Sequence, residues 1–432
     1  MKTLLKQIII WILTLEARIV LFRYKPKILV VTGTVGKTST KDAIFAVFST
    51  FSYSRKSEKS FNSEIGVPLA ILDLPTAWNN PLGWIKNILL GLSMIILPNH
   101  YPKWLVLEIG TDRPHDVRHI ARWLKPDIVV ATQFSSVPVH VEFFDSPEEV
   151  ILEEQSIALS LKKDGVLIIN NDDEYSQELR KKVDRKSLSF GLTEKALVKA
   201  SRLEVLYSED KKPLGIRFRA DYEGASIPVV VHGVLGVQHV YPILAAITAG
   251  VSKGVNVVKM NEVFNEYTPP RGRMSILEGK QDTILIDDTY NSSPIAAEKA
   301  LEALASLERR NQGRKIAVLG DMRELGKYSA REHKHLGEIA GKSADVVVAV
   351  GEHSEHISTG AFLTDIKKEN VYEFDTSLQA ADFLSGYIKK NDTILLKGSQ
   401  STRMEKAVEV LMKNPEEKEA LLVRQDMEWK NR

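Results

Sequence analysis

The run VTGTVGKTSTK, residues 31–41, sets glycines at 33 and 36 beside Lys37 and Thr38. It follows a short apolar β-rich run and precedes a helical pattern, the setting in which backbone N–H groups wrap an anion. Gly33 and Gly36 let the chain close around phosphate oxygens, and the helix N-terminus adds partial positive charge. Lys37 can reach the β- and γ-phosphates, and the Thr38 hydroxyl is placed for Mg²⁺. Thr34 and Ser39 complete the expected nucleotide contacts. The chemistry read here is the binding of a nucleoside triphosphate with its metal.

Three further positions could serve that chemistry. Glu108 closes the run WLVLEIG, at the strand end where ligands of an α/β sheet gather, although a glutamate there can equally be a solvated terminus. His140 lies in PVHVEFF; an isolated histidine is more often structural than a ligand. Glu153 and Glu154 stand in SPEEVILEEQSIA, readable from the residues alone as an exposed acidic helix face.

The phosphate loop is shorter than the common form, which needs a glycine four residues before Gly-Lys-Thr; position 31 is Val. The form Gly-Thr-Val-Gly-Lys-Thr resembles that of the Mur ligases and their relatives, the folylpolyglutamate and cyanophycin synthetases. The resemblance implies that Glu108 holds Mg²⁺ beside the loop and that His140 helps ligate a second ion. In that family a lysine about fourteen residues after the histidine is carbamoylated and so becomes an acid that supports the second metal. The corresponding position here is Glu154, which would supply a carboxylate without that modification. Asn170 to Glu174, NNDDE, resembles a turn near the nucleotide and includes Asn171. The family's Gly-x-His-Asn signature falls on GVQHV, so Gln238 and His239 stand in its place. Arg273, in PPRGRM, matches an arginine that approaches the transferred phosphate.

The C-terminal third is most like the branch of the family that adds D-alanyl-D-alanine. IDDTYNSSP includes Asp288 and Asn291, VLGDMRELG includes Asp321, and LLKGSQSTRME includes Lys397 and Ser399. The resemblance implies nucleotide contacts for the first pair and substrate contacts for the others. SFNSEIGVP, around Asn62, resembles a loop that approaches the peptide substrate. His335 follows the second run.

The elements that must position these residues read as α/β. Apolar runs KILVVTG, WLVLEIG, DIVVATQ and GVLIINNDD predict buried parallel strands, and residues 197–234 predict a small antiparallel patch with turns near Asp210 and Glu223. Helix is expected from Tyr241 to Gly250, and a linker at Thr268 to Gly272. A second α/β unit follows, with strands TILIDDT, KIAVLGD, DVVVAVG, NVYEF and DTILLKG. The expected organisation is an amphipathic helix over 1–26, a central P-loop parallel-sheet ATPase domain over 27–268, a Rossmann-like domain over 273–414 and a charged tail over 415–432. The tail is expected to form a solvated helix or to fray.

Composition narrows the classes. There are no cysteines, so disulfides, thiolate zinc sites and cysteine nucleophiles are excluded, and a net charge of +2 speaks against a nucleic-acid partner. No apolar run reaches the ~18 residues of a membrane span. In residues 1–26, Leu4, Ile8, Trp11, Leu15, Ile19 and Phe22 form a helical stripe among Lys2, Lys6, Arg18, Arg23 and Lys25, with Glu16 the one acid. Residues 78–101 form a hydrophobic insert flanked by tryptophans 78, 84 and 104. The two segments either pack on one another, in place of the family's UDP-gripping N-terminal domain, or touch a membrane surface through residues 1–26 and 82–98.

The expectation is a cytoplasmic enzyme, peripheral at the inner face of the plasma membrane: an ATP- and Mg²⁺-dependent ligase joining D-alanyl-D-alanine to a muramoyl-tripeptide through an acyl phosphate. The alternatives are a ligase on a lipid-linked muropeptide or polyglutamate-like acceptor, and a nucleotide-binding scaffold without activity.

Overall fold

A computed structural model describes residues 2–58, 61–78, 80–426 and 429, without the side chains of residues 2–4. Lys2 and Leu4 of the N-terminal stripe, Ser60 of the Asn62 run and the end of the tail therefore lie outside the described side chains. Helix α1 (Lys2–Tyr24) leads into β1 (Lys27–Thr32), α2 (Lys37–Ser49), β2 (Ser54–Lys56), α3 (Gly66–Leu72) and α4 (Pro81–Ile96). Then come β3 (Trp104–Glu108), α5 (Asp116–Trp123), β4 (Ile128–Ala131), α6 (Pro147–Gln155), β5 (Val166–Asn170), α7 (Glu174–Lys182) and β6 (Lys186–Gly191). Strands β7 (Val198–Tyr207), β8 (Pro213–Tyr222) and β9 (Ala225–His232) precede α8 (Val240–Val251) and α9 (Val257–Glu266).

These strands form one sheet in the order β2-β3-β1-β4-β5-β6-β7-β8-β9. It is parallel as far as β7 and antiparallel through β8 and β9. The expected antiparallel patch forms the edge of the central sheet. Strands β1, β3, β4 and β5 are almost wholly apolar and buried, because helices cover both faces. Helices α2 and α8 pack on one face with β1, β4 and β5; α1, α3, α5 and α7 pack on the other. β1 lies between β3 and β4, so the loop after it opens where chain connections diverge, the usual ligand crevice of such sheets.

The second sheet uses β10 (Ser275–Glu278), β11 (Ile284–Asp288), β12 (Lys315–Gly320), β13 (Val346–Val350), β14 (Val371–Phe374) and β15 (Thr393–Lys397). Their order is β10-β11-β15-β12-β13-β14, parallel except for β10. Around them run α10 (Pro294–Ser306), α11 (Ser329–Ser343), α12 (Ser354–Ala361), α13 (Ser377–Tyr387), α14 (Glu405–Leu411) and α15 (Lys418–Leu421). The five strands read from the sequence are all present; β10, β2 and β6 are additions.

The structure orients one expected element and corrects another. The α1 stripe of Ile8, Trp11, Leu15, Ile19 and Phe22 faces outward, and the side packed against the protein is Ile9, Leu13, Ala17 and Val20. The tail does not float: Leu422 is buried in the C-terminal core, and Arg424 reaches Glu405 at 2.7 Å and the Thr289 carbonyl at 2.6 Å.

Candidate active site

Gly33 and Gly36 adopt φ of 124° and 83°, values open to glycine but strained for other residues. At Gly33 a side chain is also excluded by space, since a Cβ would sit 2.3 Å from Thr132 Oγ1. The loop is pinned from β4: the Gln133 carbonyl accepts from Thr34 N at 2.8 Å and Val35 N at 3.1 Å. Gly36 then caps α2, leaving the first N–H groups of that helix turned toward the loop.

Lys37 Nζ donates to the Gly33 carbonyl and to Glu154 Oε1 at 3.4 Å. Glu154 is 4 % exposed; its other oxygen accepts from Thr34 Oγ1 at 2.8 Å, and its carbonyl accepts from Thr32 Oγ1 at 2.9 Å. The glutamate on α6 is therefore a buried partner of the phosphate loop. On the other side, Thr38 Oγ1 lies 3.2 Å from Glu108 Oε1. Glu108 Oε2 is buried without a hydrogen bond and faces Lys41 Nζ at 3.6 Å.

Asn62 joins the site through the loop before α3. Gly110 N donates to the Asn62 carbonyl at 3.2 Å, and a Cβ on Gly110 would lie 3.3 Å from Asn62 Nδ2 and 3.2 Å from Lys37 Cε. Lys37 and Asn62 thus converge over Gly110, just beyond the β3 end that carries Glu108.

His140 stands elsewhere. It pairs through Nδ1 with Glu324 of the C-terminal unit and lies 3.4 Å from Asp112 through Nε2. The His140 pairing holds the Glu324 carboxyl below its usual range. Glu142 N also donates to the Glu324 carbonyl at 3.3 Å, so this corner is a seam between the two sheets' domains.

The remaining positions are tied into the framework. His239 Nε2 donates to the Arg273 carbonyl at 2.7 Å, and burial lowers its pKa to about 4, so the ring is neutral. The Arg273 guanidinium lies 4.1 Å from the centroid of the Tyr290 ring. Asp288 accepts from Lys397 Nζ at 2.6 Å and from Met274 N at 3.2 Å; Lys397 also donates to the Asn291 carbonyl at 3.0 Å. Asp321 is fully buried and accepts from Glu352 N and His353 N, while Ser399 Oγ accepts from Arg323 N at 2.9 Å. Asn171 N donates to the Phe190 carbonyl at 2.7 Å, and its amide donates to Thr193. His335 is on α11, away from these contacts.

Residues 31–250 match the family model of the Mur ligase middle domain, more than half of the chain. The chain belongs to the Mur ligase family. Residues 272–400 match the Mur ligase glutamate ligase domain. A UDP-N-acetylmuramoyl-tripeptide–D-alanyl-D-alanine ligase of Buchnera aphidicola is 26% identical over 89% of this chain and 75% of its own. The Bacillus subtilis protein of that name is 27% identical over 90% and 76%. The crystal structure of the MurF ligase of Thermotoga maritima with ADP superposes with a TM-score of 0.74 at 25% identity, covering 95% of this chain and 84% of that one.

Within the Mur ligase framework the structure brings together Gly33, Thr34, Gly36, Lys37, Thr38, Glu108, Glu154 and Asn62. It sets His140 at the domain seam, and Asp288, Asn291, Lys397, Asp321 and Ser399 along the C-terminal edge of the second sheet. Sequence reasoning missed Lys41 and Gly110. Lys41 is one helical turn beyond Lys37, and its burial at 2 % exposure is the signal the spacing alone does not give.

Proposed function

We propose that this Mur ligase is an ATP-dependent peptide ligase of peptidoglycan precursor synthesis, joining D-alanyl-D-alanine to the carboxylate of a muramoyl-tripeptide. The observation that supports it best is the convergence of Lys37 and Asn62 over Gly110, which puts a phosphate-binding cation beside a loop free to meet a peptide carboxylate. The names and identities of the relatives point the same way.

The acceptor carboxylate oxygen attacks the γ-phosphorus of ATP, ADP leaves, and an acyl phosphate forms. The amine nitrogen of D-alanyl-D-alanine then attacks the acyl carbon, phosphate leaves, and the amine gives up a proton. Such phosphoryl transfer needs alignment and charge neutralisation more than covalent help. Lys37 supplies positive charge at the transferred group, and the loop N–H groups hold the phosphates in place. Glu154 orients Lys37 and Thr34 from beneath the loop, supplying a carboxylate at the position where the family carries a modified lysine. Arg273, stacked on Tyr290 at the hinge, would approach the transferred phosphate from the second domain.

Mg²⁺ suits the donors present: Thr38 Oγ1 and Glu108 Oε1 are hard oxygens side by side, and Glu108 Oε2 is buried without a hydrogen bond. When bound, the ion screens the charge on the phosphate oxygens. His140 is proposed for a second ion, released from its Glu324 pair.

The enzyme would act in the cytoplasm, peripherally at the inner face of the plasma membrane. The exposed apolar helix faces favour one second reading, a lipid-linked muropeptide as acceptor. Phosphate release from ATP and Mg²⁺ with UDP-N-acetylmuramoyl-tripeptide, with and without D-alanyl-D-alanine, tests the proposal, with Lys37→Ala as control. Release needing both substrates and lost in the variant supports it. Release only with the lipid-linked acceptor selects the second reading, and none with either overturns both.

A further inference from the structure

Helix α1 is apolar on two opposite sides, and only one is packed against the protein. Beside it lies α4, started by Pro81 with the Asn80 side chain accepting from Gly83 N at 3.2 Å. Its outward residues Leu82, Ile85, Leu89, Leu92 and Ile96 repeat at three- and four-residue steps, the same spacing as the outward α1 stripe. Trp11, Phe22, Leu82 and Ile96 are 66%, 79%, 76% and 71% exposed. Soluble surfaces rarely leave such contiguous apolar stripes open to water.

The two helices are fastened to one another. The Tyr24 hydroxyl donates to the Met94 carbonyl at 3.1 Å, and Arg23 donates to the Ile95 carbonyl. Glu16 is packed over Gly91, whose missing side chain leaves room for the carboxyl. It is the sole acid in residues 2–27 and 81–103, and it is 3 % exposed with neither oxygen hydrogen-bonded. Burial raises its pKa to about 7. At 100° per residue, Arg18 falls beside the α1 stripe and Lys86 beside that of α4; Lys25, just past the end of α1, sets its Nζ 5.9 Å from the Phe22 ring centroid, and all three are exposed.

We propose that the paired α1–α4 face docks on an anionic bilayer surface, lying in the headgroup plane with Trp11, Phe22, Leu89 and Ile96 turned into the lipid. This deepens the peripheral location given above and is independent of the ligase reading. Among the described residues no helix is long and apolar enough to cross a membrane, so the contact is in the plane of the interface. The basic flanks favour lipid over a second copy of this chain, since a self-pairing face would bring like charges together, whereas anionic headgroups complement them. The docked face connects to the site through α3, which packs on α1 and directly follows the Asn62 loop.

The test is sedimentation of the full chain with vesicles of phosphatidylcholine alone or mixed with phosphatidylglycerol. The chain should sediment with the anionic vesicles, and Lys86→Ser should weaken that partition about fivefold. Trp11→Glu with Leu89→Glu should weaken it at least tenfold while unfolding temperature and phosphate release with soluble substrates stay unchanged. No sedimentation with either vesicle overturns the proposal. So does a solution dimer that the double variant dissolves, because a second copy would then be the occupant. Sedimentation of the unaltered chain without any phosphate release from it would overturn the ligase reading alone.

Discussion

Replacing Glu154 by Gln isolates the charge beneath the phosphate loop. The amide oxygen can still accept from Thr34 Oγ1, now at 2.8 Å, so the main loss is the pairing with Lys37 Nζ at 3.4 Å. The two side chains are 5% and 16% exposed. At that separation and an effective dielectric of ~20 the bare attraction is ~5 kcal/mol. Desolvation of both ions cancels much of it, leaving ~1–2 kcal/mol net. A central domain of this size should then lose roughly 3–6 °C in unfolding temperature. Lys37 would be freer to turn away from the transferred phosphate, and each ~1.4 kcal/mol of lost alignment costs tenfold in rate. The expected result is a 10- to 30-fold fall in kcat/KM for ATP, read by phosphate release. The Mg²⁺ concentration for half-maximal rate should be unchanged, because Glu154 contacts Lys37 and Thr34 whereas Thr38 and Glu108 form the metal pair. Unaltered kcat/KM with an unaltered unfolding temperature would refute the positioning role. A tenfold rise in the Mg²⁺ requirement at constant kcat would instead make Glu154 a support of the metal.

Gly110→Ala should lower kcat/KM at least tenfold with little change in unfolding temperature, because its Cβ would press on Lys37 Cε at 3.2 Å and Asn62 Nδ2 at 3.3 Å; wild-type rates would show that the two do not meet over Gly110. Lys397→Met strands the buried Asp288 carboxylate, a cost of ~3 kcal/mol, and should lower the unfolding temperature of the C-terminal domain by about 10 °C by calorimetry. Adding Asp288→Leu should restore much of that loss. Burial lowers the pKa of His239 and of His333 to about 4, so between pH 6.5 and 4 the unfolded chain binds protons that the folded chain does not. Their contribution to stability is therefore full above pH 6.5 and falls on acidification through that window. Denaturant titrations should show His239→Gln with a pH slope shallower by about one proton there, and an unchanged slope would mean that His239 is not buried neutral.

The phosphate loop was legible because everything it needs lies within eleven consecutive residues, and the strands because their buried apolar runs are continuous. Glu154 could be located by counting from His140, but its partner could not: Lys37 is 117 residues away, and only the packing of α6 under the loop joins them. Periodicity found the α1 stripe yet could not orient it, since Ile9, Leu13, Ala17 and Val20 repeat on the opposite side with the same helical spacing. β2 is three residues of SRK, too short and too polar to read as a strand, although it extends the sheet beside β3. The tail looked solvated because its charges were counted without Arg424's buried partner, Glu405, whose place follows from the fold.

The hinge shows how the two domains' contributions can be combined. Backbone at Arg273 is held from the central domain by His239, while Met274 N is held from the second sheet by Asp288. Tyr290 N also donates to the Gly272 carbonyl at 3.1 Å, and Arg271 donates to the Glu419 carbonyl at 2.8 Å. Residues 271–274 are therefore bonded to both domains, since Leu235 N also donates to the Met274 carbonyl at 3.1 Å, and a rotation about residues 268–270 must break the His239 bond. Breaking that bond would leave a fully buried ring N–H without a partner, at about 1–3 kcal/mol. That cost opposes a pivot at Thr268-Pro269-Pro270 and favours the arrangement in which Arg273 keeps its place. A rotation about that segment carrying Arg273 and Tyr290 together would also strain the far seam, where His140 meets Glu324. The histidine proposed for a second ion therefore stays paired with Glu324 while the His239 bond keeps the two domains in this arrangement.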